Sequence, residues 1–84
     1  MNVEIYLTSP LNDELKLNGK INALNKASIE RLLLKNKTAI NKWLLFGRAE
    51  IGITDADNGN IVAEGFWNYN AFSGQGDYEV WLNE

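Results

Sequence analysis

The spacing of apolar residues switches once along this chain and then switches back, and that switch sets the fold class. Ile29, Leu32 and Leu33 fall at i, i+3 and i+4, and Ile40, Trp43 and Leu44 extend the stripe. This is the period of a helix that buries one face. Before the stripe, Val3, Ile5 and Leu7 alternate with Glu4 and Tyr6; after it, Ala49, Ile51 and Ile53 alternate with Arg48, Glu50, Gly52 and Thr54. A period of two belongs to half-buried strands. Residues 1–84 are therefore expected to form a single α+β domain. Its core would be a small antiparallel sheet of three to four strands with one or two helices packed on one face. Eighty-four residues support one core and no more.

Boundaries follow from local signals. Thr8-Ser9-Pro10 ends the first strand, and Ser9 suits the cap of a short helical turn over Leu11–Leu15. Asn18-Gly19 competes with that turn as a hairpin signal, so 10–24 reads as irregular. Asn25 is placed to cap the clearest helix, Lys26 to Asn36, which runs on or restarts after Thr38 until Gly47 stops it. Asp57-Asn58-Gly59-Asn60 is the strongest turn signal, with a return strand from Ile61 to about Tyr69. Asn70 to Asp77 reads as a long loop, and Tyr78 to Leu82 as a last strand.

A two-residue Asn58-Gly59 turn would pair Ile53 with Glu64 and Ile51 with Phe66. Ile51, Ile53, Val62 and Phe66 would then face the helices. Trp67, Tyr69 and Trp81 would share the opposite side with Glu50 and Glu79, beside a flat patch where Gly52 meets Gly65. Aromatic rings amid carboxylates suit a partner that offers arginines, through ion pairs and cation–π contacts. The competing reading folds residues 8–24 over that side and makes the rings core.

Charge is segregated along the chain. Residues 1–46 carry seven bases against four acids, and residues 47–84 carry Arg48 against seven acids, so +3 and −6 sum to the net −3. Histidine and cysteine are both absent, which removes disulfides, thiolate sites, serine triads and most zinc sites. Carboxylate, lysine or tyrosine chemistry remains, and no pair stands out: the register above puts Glu50 and Glu64 on opposite faces. Asp55-Ala56-Asp57-Asn58-Gly59-Asn60 opens like a calcium loop, but its glycine falls at the fifth position and Phe66 stands at the twelfth, where a bidentate Glu is required. Gly74-Gln75-Gly76 lacks the helix and lysine of a phosphate cradle. No cofactor, metal site or catalytic group is expected.

The expected function is that of a small acidic, non-enzymatic protein-binding module. It would act as a stoichiometric inhibitor that occupies the basic surface of another protein, such as one that binds nucleic acid. Its contact residues would be Glu50, Glu64, Trp67, Tyr69, Glu79 and Trp81. Phage proteins that block host defence, anti-CRISPRs among them, share this general make-up. The alternative is a nucleic-acid-binding accessory protein that uses Lys26, Arg31, Lys35 and Lys42 on the basic helix 26–42, although the net charge disfavours direct nucleic-acid binding. A third reading is a homo-oligomer in which the cationic half of one copy meets the anionic half of another. No apolar run approaches the ~20 residues of a membrane span, and the first residues lack a signal-peptide pattern, so a cytoplasmic location is expected.

Overall fold

The structure, a computed structural model, describes residues 1–83. Two strands, β1 (Asn2–Thr8) and β2 (Glu14–Lys20), precede two helices, α1 (Lys26–Lys35) and α2 (Lys37–Leu44). Three further strands follow: β3 (Phe46–Asp55), β4 (Ile61–Asn70) and β5 (Gln75–Leu82). All pair antiparallel in one five-stranded sheet of order β2-β1-β3-β4-β5. The α+β class and the two helices are as expected, and the strand count exceeds the expected three to four.

The additional strand is β2, within the segment read as irregular. Its turn is Ser9 to Asp13. Ser9 N donates to Asp13 O at 2.8 Å, Asn12 takes φ +65°, and Ser9 Oγ accepts from the amides of Leu11 and Asp13. Proline early in such a turn and a left-handed Asn at its end are the ordinary chemistry of a three-residue hairpin loop. Asn18 and Gly19 are consequently strand residues. A Cβ on Gly19 would stand 2.6 Å from Leu32 Cδ1, so the glycine makes room for the helix.

The helices behave as their sequence suggests. Asn25 Oδ1 accepts from Ser28 N at 2.8 Å and caps α1. The chain breaks at Asn36 and restarts at once, with Ile29, Leu32 and Leu33 from α1 and Ile40 and Leu44 from α2 buried. These meet Val3, Ile5, Leu7, Ala49, Ile51, Ile53, Ala63, Trp67 and Val80, which all lie on one side of the sheet. Every buried residue of the strands is on that side, and the other side has no covering layer among the described residues.

The β3–β4 register corrects the expected one. Asp55 and Asn60 close a four-residue turn in which Gly59 has φ +76°, and a bulge lies between Ile53 and Thr54. Ile51 therefore opposes Gly65 and Ile53 opposes Ala63. This one-residue slip exchanges the two faces of β4. Trp67 and Tyr69 turn toward the helices, while Glu64 and Phe66 turn away. The segment 70–77 is also tighter than a long loop: Gly74 N donates to Asn70 O, and Asn70 Oδ1 accepts from Phe72 N.

Candidate functional site

The uncovered side of the sheet collects most of the acids. Strand alternation and burial place Glu4, Glu14, Glu50, Glu64, Asp77 and Glu79 there, against Lys16, Lys20 and Arg48. The helices carry the reverse: Lys26, Arg31, Lys35, Lys37 and Lys42 against Glu30, a net of +4 from five bases and one acid. The folded molecule is thus electrically two-sided, cationic over the helices and anionic over the bare sheet.

Register gives the bare face its pattern. One row runs Thr8, Glu50, Phe66, Glu79 and the next runs Tyr6, Gly52, Glu64, Trp81. Strands lie about 4.8 Å apart, so Phe66 sits between Glu50 and Glu79, with Glu64 two residues along its own strand. Glu50 and Glu64 share this face, contrary to the expected register. Gly52, with no heavy atom within 4 Å of where its Cβ would be, leaves a shallow gap beside Glu64. The Arg48 guanidinium carbon lies 3.8 Å from the Phe66 ring centroid, so the face already holds one arginine in a cation–π contact.

Of the six residues expected to make contact, four are together on this face: Glu50, Glu64, Glu79 and Trp81. Trp81 is 48% exposed. Trp67 and Tyr69 are not part of it. Trp67 is 3% exposed, stacks on Tyr78 with centroids 5.3 Å apart, and donates Nε1–H to Asn41 Oδ1 at 2.8 Å. It is a core residue whose one polar atom is satisfied. Partial burial, with the nearby Glu30 carboxylate, raises the Tyr78 phenol above its ordinary range. Phe66 and Tyr6 take the vacated places, and the period-two phase that Phe66 shares with Glu64 and Asn68 was the signal for it.

The one salt bridge among the described residues lies on the same face. Lys16 Nζ is 2.6 Å from Glu4 Oε2 and 5.6 Å from the Tyr6 ring centroid. The hydrogen bond from Lys16 holds Glu4 below the usual carboxylate range, and Glu4 in turn raises Lys16. Asn68 Nδ2 donates to Asp77 Oδ1 at 2.7 Å. Among the described residues, Glu14, Glu50, Glu64 and Glu79 have no basic partner, which leaves a field of free carboxylates around Phe66 and Trp81.

Two other surfaces stand apart. At one end of the sheet Phe46 (59% exposed) stacks on Phe72 (90% exposed) at 5.9 Å, near exposed Leu11 and Leu45. Leu45 takes φ +66°, held by its N–H on Asn41 O and its carbonyl under Ala71 N. Between β2 and α1, Lys20, Arg31 and Lys35 line one shallow groove with Ser28 and Leu32. The calcium-like loop spends its oxygens on itself: Asp55 Oδ1 accepts from Asp57 N, and Asn58 Oδ1 from Asn60 N.

Comparisons with protein-family models, with curated proteins and with solved structures found no match. Among the described residues, no helix is long and apolar enough to cross a membrane.

Proposed function

We propose that this chain is a non-catalytic protein-binding module whose bare sheet face seats an arginine-bearing surface of another protein. The observation that supports it is the grouping of Glu50, Glu64 and Glu79 around Phe66, with Trp81 alongside and no covering element among the described residues. Unpaired carboxylates attract and orient a basic partner, and exposed rings add cation–π and apolar contact once the partner docks. Arg48 on Phe66 shows the contact in miniature.

A surface of this sign and shape fits a stoichiometric inhibitor that fills the basic groove of a nucleic-acid-binding protein in the cytoplasm. The phage anti-defence and anti-CRISPR proteins are examples of that strategy. The test is capture of partners on immobilised protein, with two charge-reversed variants as controls. Loss of the captured protein with E50K/E64K/E79K, and retention with K35E/K42E on the helices, supports the reading. The opposite pattern overturns it.

A second reading is favoured by the groove of Lys20, Arg31 and Lys35. Three bases around one depression suit a phosphate backbone, which would make the chain a nucleic-acid-binding accessory protein. A gel shift at low salt that is abolished by R31E would support it, and no shift would remove it.

A further inference from the structure

We propose that the free edge of β5 takes up an extended basic segment of the partner protein, adding a sixth strand to the sheet. This rests on the protein-binding reading of the bare face and names the element of the partner that binds.

The argument begins with a likeness inside the chain. Val3-Glu4-Ile5-Tyr6-Leu7 on β1 and Tyr78-Glu79-Val80-Trp81-Leu82 on β5 have the same pattern in the same phase. Ile5 and Val80 are buried beneath the helices, while Glu4 with Tyr6 and Glu79 with Trp81 stand on the bare face. On β1 the Glu-x-aromatic pair is filled by the neighbouring strand β2. Lys16 lies opposite Tyr6, reaches Glu4 and covers the ring, and Leu15 and Leu17 pack on the core side. On β5 the matching pair has β4 on one side and, among the described residues, no strand on the other.

The edge is fit to receive one. β5 has neither proline nor lysine, and its pairing with β4 runs without a bulge; the charges that guard this edge, Asp77 and Glu79, are both acidic and repel an acidic strand while admitting a basic one. β2, at the other edge, carries Lys16 and Lys20. Asn83 N donates to Val62 O, and counting back by twos directs the backbone of Trp81, Glu79 and Asp77 at β4. The N–H and C=O groups of Gly76, Tyr78, Val80 and Leu82 therefore point outward.

An added strand would set alternate side chains beside Asp77, Glu79 and Trp81, where lysine or arginine fits the charge. The intervening side chains would lie along Tyr78 and Leu82, close to Leu34, which is 47% exposed and lines a groove with Tyr78. Backbone pairing supplies affinity, and the alternating pattern supplies the choice of partner.

The probe is a synthetic peptide of the β2 type, Leu-Lys-Leu-Asn-Leu-Lys-Leu, added to the intact protein and followed by amide hydrogen exchange. The expected result is exchange slowed roughly tenfold or more at Tyr78, Val80 and Leu82. The protection should be lost with E79K, or with W81S should the first variant fail to fold, and absent for a peptide with Glu in place of Lys. A peptide that changes Trp81 fluorescence but leaves those three amides fast overturns strand addition and leaves the bare-face reading standing. No response to the peptide, with partner capture still dependent on Glu50 and Glu64, also overturns it. So does protection of β5 that is already present in the free protein and rises with its concentration, because a second copy then holds the edge.

Discussion

Replacing Trp67 by Phe tests the register that decides which residues reach the bare face. The change keeps a ring stacked on Tyr78 but deletes Nε1–H, so Asn41 Oδ1 loses its donor. That hydrogen bond contributes about 1 kcal/mol net. The smaller ring gives up buried apolar area worth about 1 kcal/mol more, at roughly 25 cal/mol per Å². The expected loss is thus about 2 kcal/mol, a fall in Tm of ~8–16 °C at about 4–8 °C per kcal/mol for a small domain. Trp81→Phe, at a half-exposed site, should stay within about 0.5 kcal/mol. Thermal and urea unfolding of both variants provide the comparison. A double-mutant cycle with Asn41→Ala should return a coupling of about 0.5–1.5 kcal/mol. Equal losses at Trp67 and Trp81, or no coupling to Asn41, would refute the assignment of Trp67 to the core and with it the makeup of the site.

Four further outcomes are expected. In variants that retain one tryptophan, iodide should quench Trp81 strongly and Trp67 hardly at all, as their exposures require. Gly52→Ala should be neutral or stabilising by about 0.5 kcal/mol, since a Cβ there meets nothing and glycine weakens a strand; Gly19→Ala, which strikes Leu32, should cost about 1–3 kcal/mol in the same denaturation assay. Asn25→Ala should cost about 1 kcal/mol by removing the α1 cap, read by urea unfolding. Glu4 titrates below its ordinary value because of Lys16, so the pair's contribution is present above the unfolded carboxylate pKa and fades as pH falls through the folded one; an NMR titration of Lys16→Met should show Glu4 returning upward.

How far the fold could be read in advance depended on whether neighbouring signals agreed. The strands from Val3, Ala49, Ile61 and Tyr78, and the α1 cap at Asn25, each rest on one periodicity with matching turn chemistry. β2 was hidden because Ser9-Pro10 and Asn18-Gly19 offer two incompatible turns, and in the fold Gly19 stays within the strand, where it makes room for Leu32. The face of β4 was misjudged for a different reason. Asn58-Gly59 is a turn signal, but it does not reveal the bulge between Ile53 and Thr54; a change from two loop residues to four leaves the faces as they are, and the one extra residue of the bulge reverses the strand. Composition held the answer: Ala63, Gly65, Trp67 and Tyr69 make a better inner face than a set that would bury Glu64 and Asn68. Glu50, Glu79 and Trp81 were legible because β3 and β5 alternate cleanly; the part of Phe66 depended on the bulge.

The strand order carries a consequence for how the chain is assembled. β1 joins β2 on one side and β3 on the other, so within the sheet the seam between the amino-terminal hairpin and the later three-stranded meander is the Val3–Asp55 to Thr8–Glu50 ladder, extended by the bond from Ala56 N to Asn2 O. During synthesis the first hairpin leaves the ribosome early and must wait, one edge unmatched, until both helices and β3 have followed. Removing the first eight residues would part the sheet into a lone strand and a separate meander, with the helices left spanning the break.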